Sequence, residues 1–167
     1  TFAEKPGILY LLNVAQQSNG LPVVAAQTQA LKALYQTIGC EKVLAARSLE
    51  NTGVATTAAI AAFGNGIGVN LTIEKTHLFK TIPGAILVQT ESPVEELESA
   101  GFIAIGQTTE NASFRAAGES IALSELFEPW STTLDPIFPR SPSSHNNSAV
   151  EIPTPTPKPI LKRSIPA

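Results

Sequence analysis

The stretch KVLAARSLENTGVATTAAIAAFGNGIGVNL, residues 42–71, decides the fold. Its opening KVLAARSL, residues 42–49, is a short apolar run of strand length. Glu50-Asn51-Thr52-Gly53 then makes a tight turn. Residues 54–62 are rich in Ala and Thr, and Ala58, Ala59, Ala61 and Ala62 suit a helix lying close against a sheet, because small side chains let backbones approach. Phe63-Gly64-Asn65-Gly66 interrupts the helix, and residues 66–74 alternate cleanly, with Ile67, Val69, Leu71 and Ile73 on one face. Strand, turn, helix, turn and half-buried strand in this order predict an α/β domain.

Working outward, GILYLLNV at residues 7–14 reads as a buried strand, and Gln16-Gln17-Ser18-Asn19-Gly20 as a turn. Thr28 is placed to cap a helix whose apolar face is Leu31, Leu34, Tyr35 and Ile38, with Gly39 at its end. Downstream, residues 85–90 (AILVQT) and 102–107 (FIAIGQ) are strands separated by a short helical stretch at 94–99. A last helical turn spans 123–130, where Leu126 and Trp130 dock on the core and Pro129 shortens the helix. The order β-α-β-α-β-β-α-β followed by small elements implies a mixed sheet of the α+β type with helices on one face.

From Pro139 onward the composition changes. Seven of the thirteen prolines and five serines fall in residues 139–167, without an aromatic residue. Such a stretch buries too little apolar surface to offset its ordering entropy, so the expected organisation is a domain over 1–138 and a disordered Pro/Ser-rich linker over 139–167. The run Ile152-Pro153-Thr154-Pro155-Thr156-Pro157-Lys158-Pro159 favours polyproline II, a semi-rigid spacer first and a ligand for a proline-binding domain second. The tail holds four cations against Glu151, leaving it at +3 and the body at −6 within a net charge of −3. An acidic body with few aromatics has no electrostatic footprint for nucleic acid. No apolar run reaches membrane-spanning length, so a soluble, cytoplasmic chain is expected. Thr1-Phe2-Ala3 carries neither Met nor a basic leader and reads as an internal cut.

Local chemistry is sparse. The turn Asn51-Thr52-Gly53 joins a strand to a helix, the place where α/β folds offer backbone N–H groups to a nucleotide phosphate. Against this stands an ordinary structural turn. Phe63-Gly64-Asn65-Gly66 is either a phosphate loop or a helix C-cap, and the cap is favoured. Cys40 has no neighbouring His and reads as a small buried residue. His77 and His145 lie far apart, so no metal site is expected. Glu95, Glu96 and Glu98 form a solvated helix face. No Walker-type phosphate loop or nucleophile elbow is present.

Read whole, residues 42–71 resemble the C-terminal part of the second synthase half of phosphoribosylformylglycinamidine synthase, where a strand, a Gly-Gly turn, an Ala-rich helix and Phe-Gly-Asn-x-Ile-Gly follow in this order. Ile105-Gly106-Gln107-Thr108-Thr109 is similar to the family's Ile-Gly-x-Thr-Thr. Ile121-Ala122-Leu123-Ser124-Glu125-Leu126, then Trp130, Leu134, Pro136, Ile137, Phe138 and Pro139, follow its closing pattern.

The resemblance implies a C-terminal subdomain of the AIR-synthase type. It belongs to an ATP- and Mg²⁺-dependent ligase that converts formylglycinamide ribonucleotide to the amidine with glutamine as nitrogen donor. The remaining synthase subdomains and a glutamine amidotransferase domain are the implied partners, and the isolated piece is expected to be inactive, with no catalytic residue of its own. Where related domains carry Asp-x-Ser-Asp-Gly-Gly, this chain has Ser48-Leu49-Glu50-Asn51-Thr52-Gly53. An aspartate role therefore does not carry over to Leu49 or Asn51. Two alternatives remain: another ATP-dependent enzyme of the same superfamily, and a non-catalytic assembly module that recruits a partner through its tail.

Overall fold

The computed structural model describes residues 1–13, 15–49 and 51–138. The chain divides into a unit over Thr1–Thr133 and a second over Leu134–Ala167. In the second, described only as far as Phe138, the amides of Ile137 and Phe138 both donate to the Leu134 carbonyl, at 3.0 and 2.7 Å. The expectations for the Pro-rich tail and for His145 lie outside the described residues.

Among the described residues the first unit is a seven-stranded mixed sheet with four α-helices. Its elements are β1 (Gly7–Leu12), α1 (Val24–Gly39), β2 (Val43–Ser48), α2 (Gly53–Phe63), β3 (Gly68–Leu71), β4 (Ile86–Thr90), α3 (Glu95–Ser99), β5 (Phe102–Thr109), β6 (Ser113–Ala116), β7 (Glu119–Ala122) and α4 (Leu123–Thr132). A 3-10 turn, Lys75–His77, lies between β3 and β4. The strand order is β2-β4-β1-β5-β3-β6-β7. Every pairing is antiparallel except β3 with β6.

The helices lie on both faces of this sheet, correcting the expectation of one. Leu9 and Leu11 of β1 point into a core with α2, together with Leu87, Val69 and Ile105. Tyr10 and Leu12 point the other way, into a second core with Ala30 and Leu34 of α1, Val88, and Leu97 of α3. The unbroken apolar run of β1 carries the reason: a strand that alternates shows one buried face, whereas one apolar at every position is covered on both.

Between Leu9 and Tyr10 the β1–β5 register slips by one residue, so Leu9 faces Gly106 and Tyr10 faces Ala104. This bulge turns Ile105 into the α2-side core. Gly106 sits at φ 153°, where a β-carbon would strike the Asn70 carbonyl on β3, so only glycine lets the two strands close there.

Two short strands, β6 and β7, escape a reading by hydrophobic alternation. They form a hairpin whose turn residues Ala117 and Gly118 both have positive φ, 51° and 82°, the geometry that matches the twist of paired strands. Pro129 also departs from expectation, since α4 continues through it to Thr132. Beyond the proline, the Ser131 and Thr132 hydroxyls donate to the Glu128 carbonyl at 3.1 and 2.7 Å.

The segment ahead of β1 is fastened from beneath. Gln89 is fully buried: its Oε1 accepts from the Ala3 amide at 2.7 Å, and its Nε2 donates to the Lys5 carbonyl and to Thr108 Oγ1 at 3.0 and 2.9 Å. With Phe2 buried in the α2-side core, residues 2–5 are an integral part of the domain.

Candidate functional site

The concave feature of the α2 side is a cleft of about 640 Å³ between α2, the β6–β7 hairpin and α4. Ala55 and Ala59 form its floor, where their small side chains leave the space open, and Phe114 and Leu126 line its flank. At one end Phe63, Phe127 and Trp130 form a ring cluster, with centroids 5.3 Å apart for Phe63 and each partner and 5.9 Å for Phe127 and Trp130. Trp130 therefore packs on Phe63 but remains 53% exposed, whereas Leu126 packs against the core as expected. Edge and tilted ring contacts of this kind add about 0.5–1.5 kcal/mol to the area they bury.

The titratable lining of the cleft is Lys75, Glu119 and Glu125. Lys75 Nζ lies 3.2 Å from Glu119 Oε1, with both side chains mostly in solvent, so the pair orders the rim and contributes little energy. Among the described residues no three of His, Cys, Asp and Glu converge as a metal site. Binding apolar or ring-bearing surface is what this lining can do; the chemistry of a Mg²⁺ nucleotide does not fit it.

The turn Asn51-Thr52-Gly53 stands at the N-terminus of α2, with Asn51 and Thr52 exposed and Gly53 buried. Gly53 adopts φ 84°, and a β-carbon there would come within 2.6 Å of the Phe79 Cα. The Ala55 amide donates to the Leu78 carbonyl at 2.9 Å, and Thr81 Oγ1 donates to the Asn51 carbonyl at 2.9 Å. The connection between β3 and β4 thus lies across the start of α2 and uses one of the amides that an anion would need. The glycine answers to that close approach.

The other candidates fall on the structural side. At Gly64 the helix ends and the N-terminal segment packs against it, with Asn65 Nδ2 donating to the Phe2 carbonyl at 2.8 Å. This is the favoured helix end. Cys40 is exposed, not buried, because it caps the C-terminal end of α1, where the chain turns toward β2. His77 is half exposed, 3.9 Å from Glu74. On α3, Glu96 forms a 2.6 Å ion pair with Lys42, which raises the lysine pKa and lowers that of the carboxyl. Glu98 reaches inward to accept from the buried Tyr10 hydroxyl at 2.8 Å. Burial, then this hydrogen bond, raises the Tyr10 pKa.

The cleft itself escaped sequence reading. Its signal was Phe63, the one large side chain ending an otherwise Ala-rich helix, but its neighbours Phe114, Phe127 and Trp130 come together only through β6, β7 and α4.

No family profile matches the chain. It is 36% identical over 148 positions to phosphoribosylformylglycinamidine synthase subunit PurL of Corynebacterium aurimucosum, covering 80% of this chain and 19% of that protein. The PurL of Corynebacterium ammoniagenes is 28% identical over 145 positions, with 79% and 19% covered. Among solved structures, T. maritima PurL complexed with AMPPCP superposes with a TM-score of 0.62 at 12% identity, over 75% of this chain and 26% of that one. The same protein complexed with FGAR gives 0.60 at 12% identity, over 98% and 32%. At such identity the structures establish a shared fold. The chain spans about a fifth of the length of the curated relatives it matches. The sequence match makes the chain similar to one segment of the phosphoribosylformylglycinamidine synthase subunit PurL, and the solved structures show that the two share a fold.

Proposed function

We propose that the chain serves as one subdomain of an ATP-dependent ligase that converts formylglycinamide ribonucleotide to its amidine, with glutamine as the source of nitrogen. The observation that carries this reading is the 36% identity across 80% of the chain to a PurL. Solved relatives complexed with ATP and with FGAR support both as ligands of the whole enzyme, and a PurLQS structure supports an assembly with further components. The partners are the remaining synthase subdomains and a glutamine amidotransferase, and the compartment is the cytoplasm.

Within that assembly the subdomain binds and positions. Its cleft seats apolar surface of a neighbouring subdomain, while the ligands for Mg²⁺ and the groups that stabilise the transferring phosphoryl come from outside these residues. The Asn51-Thr52-Gly53 turn touches the nucleotide phosphates from its exposed outer side. That placement is supported by the exposure of Asn51 and Thr52 and limited by the Leu78 carbonyl on the Ala55 amide.

The test is reconstitution in trans. The chain alone, given FGAR, ATP, Mg²⁺ and ammonia, should form no amidine. Mixed with a C. aurimucosum PurL lacking the matching segment, it should restore ATP-dependent amidine formation. Turnover by the chain alone would overturn the reading of it as a part.

A further inference from the structure

Among the described residues two asparagines precede a glycine, Asn19-Gly20 and Asn65-Gly66, and the ligase reading uses neither. Such a pair is self-reactive. The backbone nitrogen of the glycine, once it loses its proton, closes a small, unstrained ring on the asparagine Cγ, and glycine has no β-carbon to hinder the attack. Both asparagines are exposed in turns and both glycines have positive φ, 79° and 63°, so neither exposure nor backbone conformation separates the two. Hydrogen bonding does.

At Asn19 it is the reacting oxygen that is held, since Oδ1 accepts from the Leu21 amide at 3.0 Å. That N–H polarises the side-chain carbonyl and stabilises the negative charge the oxygen takes up as Cγ becomes tetrahedral. The Gly20 amide donates to the Gln17 carbonyl at 2.9 Å and must let go before it is deprotonated. Nothing stands within 4 Å of where a Gly20 β-carbon would lie, and residues 15–21 are all exposed, so this opening is a local fluctuation.

At Asn65 it is the leaving group that is held, because Nδ2 donates to the Phe2 carbonyl at 2.8 Å. The acceptor cannot follow a turning side chain: the Phe2 ring is buried in the core and its amide donates to the Ala61 carbonyl at 2.8 Å. Gly66 leads directly into the buried Ile67. We propose that Asn19 is a site of spontaneous deamidation in the folded domain and that the same fold keeps Asn65 intact.

The step balances with water as its one co-reactant. The Gly20 nitrogen bonds to Asn19 Cγ, the Cγ–Nδ2 bond breaks, and Nδ2 leaves as ammonia with the proton that the glycine amide gave up. Water then opens the cyclic imide at either carbonyl, giving aspartate or isoaspartate with one solvent oxygen. No oxidant or reductant is involved. Isoaspartate lengthens the backbone by a methylene inside the hairpin closed by Gln16 and Pro22, directly ahead of α1. The turn thereby undergoes a slow, one-way change of charge and shape.

Peptide mapping by mass spectrometry, after incubating the 167-residue chain in mildly alkaline heavy-oxygen water, tests the assignment. It should find aspartate and isoaspartate carrying one heavy oxygen at position 19. Conversion at position 65 should be slower by roughly tenfold or more, the effect of a buried anchor and its hydrogen bond. Raising the pH should speed conversion at 19, because the attacking nitrogen must be deprotonated. In urea, where the fold no longer distinguishes the two sites, their rates should come together. Position 65 converting as fast as 19 in the folded chain, no conversion at 19, or a rate gap that persists in urea would each overturn the proposal.

Discussion

Helices α1 and α2 are built from similar small and apolar residues, yet they relate to the fold in opposite ways. Seven of the eleven residues of α2 are buried, against three of the sixteen of α1. α2 is apolar almost all round and is enclosed between the sheet, the N-terminal segment and α4. α1 buries a narrow line of Ala30, Leu34 and Thr37 and leaves its larger side chains in solvent. The contrast teaches that apolar content measures how much surface a helix can bury, whereas the chain at hand decides how much it does bury. A helix whose apolar face outruns its burial leaves large side chains such as Tyr35 in solvent.

Substitutions can break this contrast. The largest effect belongs to Leu9→Ala on the α2 side of β1, fully buried in that core, where a cavity should cost about 2–5 kcal/mol in urea unfolding. A cost below about 1 kcal/mol would mean that the core is loosely packed. Next comes Ala58→Leu on α2, at a position with no exposure, which should lose about 1–3 kcal/mol through overpacking. The matched Ala26→Leu on the exposed side of α1 should stay within about 0.5 kcal/mol. Equal losses at the two sites would remove the distinction between the helices.

Tyr10→Phe deletes the hydrogen bond that ties β1 to α3 and should cost about 1 kcal/mol near neutral pH. Because the folded-state pKa of Tyr10 is raised, its contribution is complete below the unfolded value near 10.0 and is lost as pH rises through the folded value. The wild type should therefore lose stability on the alkaline side more steeply than Tyr10→Phe, as Tm against pH will report. Parallel alkaline limbs would exclude Tyr10 as the source. The smallest effect is Thr52→Glu at the start of α2: a carboxylate there suits the helix dipole, so Tm should hold. In the reconstituted enzyme it should raise the ATP KM several-fold, and an unchanged KM would detach the turn from the nucleotide.

Most of the architecture is legible where local pattern and tertiary role agree. β1, β2, β4, β5, α2 and α3 announce themselves through apolar runs, small residues and glycine punctuation. The same logic misplaces α1: periodicity in Leu31, Leu34, Tyr35 and Ile38 locates an apolar arc but not the part of it that the sheet covers, and the helix begins at Val24, ahead of Thr28. β6 and β7 are four residues each, too short for alternation to register, and the pairing of β6 with β3 is long-range. The cleft depends on that pairing, which explains why no local motif pointed to it. The turn at 51–53 was locatable, but the approach of Leu78 and Phe79 over it, which governs how much an anion could reach, comes from 25 residues downstream.

The central claim, that this domain does its work as part of a larger ligase, is tested most directly by transplantation. Exchanging the matching segment of C. aurimucosum PurL for residues 1–133 of this chain, in one continuous polypeptide, puts the domain into a complete enzyme. The account predicts ATP-dependent amidine formation by the purified chimera, together with growth without purines in a host lacking its own PurL. A chimera that folds with the thermal stability of its parents but turns over no FGAR would contradict it.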